Sequence, residues 1–381
     1  MKSYGKQAID QSDIDAVVAV LKSDFLTQGP AITAFQTAIA TKTTSRYAIA
    51  AANATACLHI ACLALGVSEN DIVWTSPISF VASANCALYC GADIDFVDID
   101  LDTGLMSLAA LERKLEVAKQ LQKLPKVVIP VHLCGQSCDM AAIYQLAQEY
   151  GFKIIEDASH AIGGTYQNMP IGNCKYSDIC VFSFHPVKII TTGEGGVATT
   201  NSPQLAKKMQ QFVSHGITRE PELLQNPSHG PWYYEQLALG FNYRMTDIQA
   251  ALGLSQLDKL DQFVAIRNNL AALYQNKLAE LNVTMLTVKQ YGLSSYHLLV
   301  VLLDNAEQRL RMYHALQQAG IGVNVHYIPI YLQPYYQAKG FLAGYCPNAE
   351  NYYSKALTLP LHPQLSEQDI ETIVSNVKNA L

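Results

Sequence analysis

The stretch SFHPVKIITTGEGG, residues 183–196, decides how this chain reads. It follows a short apolar run, ICVF at 179–182, and leads into a second, GVATT at 196–200. Lys188 stands between hydroxyl residues and a cluster of glycines, Gly193, Gly195 and Gly196. Glycine lets a chain turn tightly back into a strand. A lysine fixed on such a turn is a candidate for imine chemistry, which needs an amine that is partly deprotonated and held firmly against a carbonyl. By itself, the segment reads equally well as a surface lysine beside a glycine turn.

Outward from that turn, short runs rich in Val and Ile alternate with helical patterns. Strands are expected at 46–52, 71–75, 93–97, 126–131, 153–156, 179–182 and 196–200. Seven buried strands separated by helices predict an α/β fold with a large, mostly parallel sheet covered on both faces. Such a sheet places ligands on the loops beyond the carboxyl ends of its strands. A first helix is expected over 10–21, capped from Asp10, Ser12 or Asp13. A single long helix over 247–279 carries the chain into a smaller C-terminal α/β region, with a strand at 296–303, a helix at 306–319 ended by Gly320, and a terminal helix at 365–380. The expected division is a large domain over 1–250 and a small one over 251–381.

Half of the 381 residues are apolar, 15% are charged and the net charge is −6, which leaves no basic footprint for a nucleic-acid backbone. The nine cysteines, at 57, 62, 86, 90, 134, 138, 174, 180 and 346, form no zinc or disulfide pattern. They read as small buried hydrophobes, with one reactive thiol left open, and no metal site is expected. The opening MKSYGKQAIDQSDIDAVV has no charged segment followed by an apolar core, so a cytoplasmic protein is expected. The mostly apolar stretch 47–67 is broken by Asn53, Thr55 and His59 into a strand and a helix rather than a membrane span.

Four further segments carry polar residues on the expected loops. KIIEDASHA, 153–161, delivers Asp157 and His160 from a strand end; a carboxylate there more often caps a helix or joins an ion pair, but it also suits the nitrogen of a pyridine ring. AANATACLHIA, 51–61, opens a helix with Asn53, Ala54, Thr55 and Ala56, whose free N–H groups suit a phosphate. SPISFVASANCALYCGA, 76–92, offers Phe80 either as a core residue or as a stacking platform. GFNYRMTDIQAALGLSQL, 240–257, sets Asn242, Tyr243 and Arg244 before a long helix, as phosphate contacts or as part of a capping loop.

Taken in this order, with LTQGPAITAFQ (26–36), HLCGQSCDM (132–140) and HYIPIY (326–331), the segments resemble the nucleotide-sugar aminotransferases of the DegT/StrS group over nearly the whole chain. The resemblance implies a fold-type-I, pyridoxal 5'-phosphate-dependent enzyme that works as a homodimer with shared active sites. Residue by residue, it implies Lys188 as the Schiff-base lysine, Asp157 at the ring nitrogen and Phe80 stacked on the ring. Ala54, Thr55 and Ser183 would hold the phosphate, with Asn242 reaching it from the other subunit. Ala56 and His160 complete the cofactor set, and His160 is also counted with Lys188 and Asp157 as catalytic. Tyr4, the segment Asp24, Phe25, Leu26 and Thr27, and the segment Asn324, Val325, His326 and Tyr327 fall where the family contacts its sugar nucleotide.

PISFVASAN, SSYHL and HYIPIY are closest to the pseudaminic-acid branch, whose members aminate C4 of a UDP-linked 4-keto sugar with glutamate as donor. Tyr331, where many relatives carry histidine, leans the same way. Another TDP-, UDP- or GDP-linked 3- or 4-keto sugar is the alternative substrate. The competing activities are a sugar dehydratase, which typically has histidine at the lysine position, and a catalytically inactive sugar-nucleotide-binding regulator.

Overall fold

A computed structural model gives the fold of residues 2–381. Seven strands form the central sheet: β1 (Tyr47–Ala51), β2 (Ile72–Thr75), β3 (Asp93–Phe96), β4 (Val127–Ile129), β5 (Lys153–Asp157), β6 (Ile179–Ser183) and β7 (Gly196–Thr200), in the order β1-β7-β6-β5-β4-β2-β3. Every neighbouring pair is parallel except those made by β7, which runs against both β1 and β6. Its register sets Gly196 opposite Ala51 on one side and Ser183 on the other.

Alternate side chains of these strands enter two cores, as a sheet buried on both faces requires. Ile49, Ala51, Val181 and Ala198 face one core, while Ala50, Cys180, Phe182 and Val197 face the other. The helices α1 (Gln11–Leu21) and α2 (Pro30–Thr43) are followed by α3 (Ala54–Ala64), α4 (Ala82–Tyr89), α5 (Leu108–Gln120), α6 (Met140–Tyr150) and α7 (Pro203–Val213). α3 is built almost wholly of small and apolar residues and is buried nearly all round, so it packs tightly against α4 and α7. Asp10 caps α1 in a reciprocal box with Asp13, as its sequence suggests.

The expected single helix over 247–279 is two: α8 (Asp247–Leu257) and α9 (Leu260–Leu278). No glycine or proline causes the break. Lys259 at the joint is held by Asp10 at 2.6 Å and Asp13 at 2.9 Å, and the next residue, Leu260, is fully buried. Tertiary contacts with α1 thus override a continuous helical pattern.

Beyond α9 lies a small sheet of β8 (Thr284–Met285), β9 (Leu299–Leu302) and β10 (Ala356–Leu359), with α10 (Ala306–Gln318) and the terminal helix α11 (Glu367–Ala380). Leu299 and Val301 join a third core with Leu270, Met312 and Ile370, while Val300 turns into the first core. Arg267 of α9 is fully buried and donates from Nη1 to the carbonyls of Tyr296, His297 and Leu361 at 3.1, 3.3 and 2.8 Å. No described helix is long and apolar enough to cross a membrane, and all nine cysteines are free.

Candidate active site

A cavity of about 980 Å³ opens at the carboxyl ends of β1, β5 and β6, where an open α/β sheet is expected to bind its ligand. Lys188, Asp157, His160, Ser183, Phe80, Ala54, Thr55 and Ala56 all line it, together with Tyr4, Asn324, Val325, His326 and Tyr327.

The lysine loop is fixed at its base. Phe184 N–H donates to Gly195, its carbonyl accepts from Thr192 N–H and the Thr191 hydroxyl, each at 3.0 Å, and Gly193 turns at φ +79°. Ile189 and Ile190 anchor the far side in the second core. Between these anchors, burial pulls the Lys188 amine down to about 8, and the charge of Asp157 opposes a deeper fall. Roughly a tenth of the amine is therefore unprotonated at pH 7, rising steeply toward pH 8, which supplies the free base that nucleophilic attack on a carbonyl requires.

Asp157 ends β5 with 4% of its surface exposed. Ser83 of α4 donates to Oδ2 at 2.5 Å and the Ser159 N–H to Oδ1 at 3.1 Å. Among the described residues the carboxylate has no ion-pair partner, although it lines a cavity. A buried anion without a resident cation suits a ligand that brings a positive N–H of its own.

His160 is buried three residues further on. Its Nε2 lies 3.3 Å from the Tyr327 hydroxyl, and its Nδ1 has no partner. Burial first, then the charges of Lys188 and His326, hold it well below the usual histidine range, so it is neutral at physiological pH. The unpaired Nδ1 is free for a ligand.

At the third wall, Asn53 caps α3 by accepting from Ala56 N–H at 2.9 Å. The N–H groups of Ala54 and Thr55 have no acceptor within the helix, and they join the positive end of its dipole. A Cβ on Gly196 would stand 2.6 Å from Ala54 N and Asn53 C, so only glycine lets β7 begin against this cradle. An amine poised for attack, a buried unpaired anion and a phosphate-type cradle around one cavity fit pyridoxal phosphate at its aldehyde, ring nitrogen and phosphate. Phe80 lines the cavity and is 60% exposed, so it is not a core residue.

The segment 324–327 on the cavity wall is fixed from behind. His326 Nδ1 pairs with Thr358 Oγ1 at 2.8 Å, Tyr352 donates to the His326 carbonyl at 2.9 Å, and the ring of Tyr4 packs on His326 at 5.0 Å. Asp24, Phe25, Leu26, Thr27 and Asn242 do not line the cavity. They lie on the outer surface, exposed. Segment 24–27 docks on the start of α8, through a Thr27 to Thr246 bridge and a bond from Asp247 N–H to Leu26, while Asn242 bridges to Ser214. Tyr331 is also absent from the cavity: it is fully buried, donates to Glu350 and accepts from Cys346 N–H. Within this chain its hydroxyl ties the 331 turn to the segment 346–350.

Sequence reasoning missed Ser83, which orients Asp157, as well as Tyr89, His297 and Gln333 on the cavity wall. Ser83 was signalled only by standing one turn past Phe80. His297 lies inside SSYHL but comes from the far side of the chain.

The profile of the DegT/DnrJ/EryC1/StrS aminotransferase family matches residues 7–378. The UDP-4-amino-4,6-dideoxy-N-acetyl-beta-L-altrosamine transaminase of Campylobacter jejuni is 36% identical over 380 residues, covering 98% of this chain and 96% of that protein. Among solved structures, Helicobacter pylori PseC, an aminotransferase of pseudaminic acid biosynthesis, superposes with a TM-score of 0.90 at 31% identity, covering 99% of this chain and 98% of that one. The PLP-form of a putative sugar aminotransferase, Spr1654 from Streptococcus pneumoniae, does so at 0.88 and 30%, covering 99% of each chain. The profile match runs through the lysine loop, the Asp157 strand and the α3 cradle alike, and on that extent the chain belongs to the DegT/DnrJ/EryC1/StrS aminotransferase family.

Proposed function

We propose that this sugar aminotransferase moves an amino group from glutamate to C4 of a UDP-linked 4-keto-6-deoxy-N-acetyl hexose, the step that leads toward pseudaminic acid. The observation that carries the reading is the meeting of Lys188, Asp157 and the α3 cradle on one cavity; the sugar rests on the likeness to the Campylobacter and Helicobacter enzymes.

The cofactor is pyridoxal 5'-phosphate, which supplies an aldehyde and an electron-withdrawing ring. Ala54, Thr55 and Ser183 would hold its phosphate with Ala56 beside them, Asp157 its ring nitrogen, and Phe80 and His160 its ring. With the cofactor bound, Lys188 would hold it through Nζ, and the same Nζ, once freed by the donor amine, would take the Cα proton of glutamate. In the return half the same Nζ would deliver a proton to C4 of the sugar; over the whole cycle glutamate would be left as 2-oxoglutarate and the ketone would become an amine. Tyr4 and residues 324–327 would position the sugar nucleotide.

Asn242 and the segment 24–27 do not line the cavity of their own chain, and Phe25 and Leu26 within that segment are exposed. We assign them to the cavity of a second copy, in a homodimer with shared sites. The reading keeps a cofactor domain over 1–250 and a smaller domain over 251–381, in a cytoplasmic enzyme.

The test incubates purified protein, pyridoxal phosphate and glutamate with UDP-, TDP- and GDP-linked 3-keto and 4-keto sugars, following product mass. An amino sugar formed from the UDP-linked 4-keto sugar is expected. Product from another nucleotide sugar alone would reassign the substrate, and loss of water without gain of nitrogen would make the protein a dehydratase.

A further inference from the structure

Residues 2–5 run along the edge of the cavity and bring Tyr4 into its wall. Lys2 N–H donates to the Gly320 carbonyl at 2.8 Å, and the Lys2 carbonyl accepts from Gly322 N–H at 2.7 Å, so Lys2 pairs with Ile321 as a parallel bridge. Two residues on, the Tyr4 carbonyl accepts from Leu361 N–H at 3.0 Å. The Lys2 ammonium pairs with Oδ1 of Asp369, whose Oδ2 accepts from Ser366 in the cap of α11. One oxygen of that carboxylate thus serves the helix, and the other holds the segment.

The stretches that receive these bonds also build the cavity wall. Gly320 to Gly322 lead directly into 324–327, and Leu361 follows β10, whose Thr358 pairs with Asn324 and bonds His326 Nδ1. The Tyr4 ring closes the circuit by packing on His326 at 5.0 Å. At its other end the segment reaches the lysine turn, where a Cβ placed on Gly5 would stand 3.4 Å from Val187 Cβ. Three separate pieces of chain, 2–5, 320–327 and 358–361, therefore act as one wall.

We propose that residues 2–5 are a strap that sets Tyr4 in the wall, with Lys2 and Asp369 as positioning residues that act through it on the nucleotide sugar and not on glutamate. The inference rests on the reading that Tyr4 and residues 324–327 meet the sugar nucleotide. Its selectivity follows from place. The strap bonds to 320–322, 361 and 369, which belong to the C-terminal part of the chain, whereas Asp157, Ser183 and the α3 cradle are carried by the central sheet.

The ion pair is the part of the strap that a side-chain change can release. Its partners are 33% and 28% exposed, and a pair so open to water contributes little to global stability. Breaking it loosens the strap and leaves the fold in place. Lys2→Glu sets like charges against each other at Asp369, while Lys2→Arg keeps the pair.

The experiment compares these two variants with the wild-type protein by amide hydrogen exchange and by half-reaction kinetics. In Lys2→Glu the Gly322 and Leu361 amides, whose acceptors lie on the strap, should lose protection by roughly tenfold, with Asp157 N–H in the central sheet unchanged. KM for the nucleotide sugar should rise by about fivefold, the scale of a partly exposed ion pair, while the half-reaction with glutamate, followed by loss of the cofactor's visible absorbance, keeps its rate. Lys2→Arg should match the wild type in every measurement. Unchanged exchange at Gly322 and Leu361, an unchanged sugar KM, or equal slowing of both half-reactions would overturn the proposal. Exchange needs no substrate, and KM is taken for whichever nucleotide sugar the wild-type protein converts, so failure of the strap is distinct from failure of the transaminase reading.

Discussion

The Ser83 hydroxyl donates to Oδ2 of Asp157 at 2.5 Å, from the first turn of α4 to the last residue of β5. With the Ser159 N–H on the other oxygen, it fixes the plane of a buried carboxylate that has no counter-ion of its own. Ser83 thus acts through Asp157 rather than on a ligand.

Removing that bond tests the arrangement. A hydrogen bond to a charged group is worth about 1.5–3 kcal/mol, so Ser83→Ala should lower kcat by roughly ten- to a hundredfold if the whole effect is felt in the rate-limiting step. Asp157→Asn should lose more, because the anion itself is gone. Steady-state rates with glutamate measure both, and an unchanged thermal midpoint separates the effect from unfolding. Full activity in Ser83→Ala would remove the positioning role.

Lys188 gives a prediction in pH. Its amine, pulled down to about 8 by burial, should react with a small aldehyde in cofactor-free protein along a curve whose midpoint lies near 8, against about 10.4 for an ordinary lysine. The Asp157 anion favours the protonated amine, so Asp157→Asn should move the midpoint lower. A midpoint near that of free lysine would contradict the burial. Lys188→Ala should abolish turnover and the visible absorption of lysine-bound cofactor.

Gly196→Ala should damage cofactor binding more than the fold. The added carbon would meet backbone atoms of Asn53 and Ala54 at 2.6 Å, and backbone cannot swing aside as a side chain can. The cradle must open. A cofactor dissociation constant raised at least tenfold, read from absorbance titration, is the expected result.

Arg267 should matter for stability. Burial lowers its guanidinium to about 9, yet its Nη1 binds three carbonyls, one of them that of cavity residue His297. Arg267→Ala leaves those acceptors unpaired in the interior, a loss on the order of 3 kcal/mol or more. Denaturant unfolding should show it, and KM for the sugar should rise as the 296–297 segment loosens.

Much of this was readable in the chain, for a physical reason. Strands buried on both faces declare themselves as short Val and Ile runs, and the residues following them, Asn53, Asp157, Ser183 and Lys188, are carried to the site by the sheet. Partners from distant segments leave no local trace: Ser83 on Asp157, Arg267 on His297, and the Lys259 ion pairs that divide the expected 247–279 helix. Nor does a sequence say which wall faces which cavity, and so Asn242 and residues 24–27 are found away from the pocket of their own chain.

Ser183, Gly196 and Ala51 lie on one line across β6, β7 and β1. The interval between strands is a property of the peptide hydrogen bond, about 4.8 Å, and no side chain adjusts it. The gap between the lysine turn and the helix after β1 is therefore graduated like a caliper. A molecule gripped at both jaws is gauged for length before any functional group inspects its chemistry.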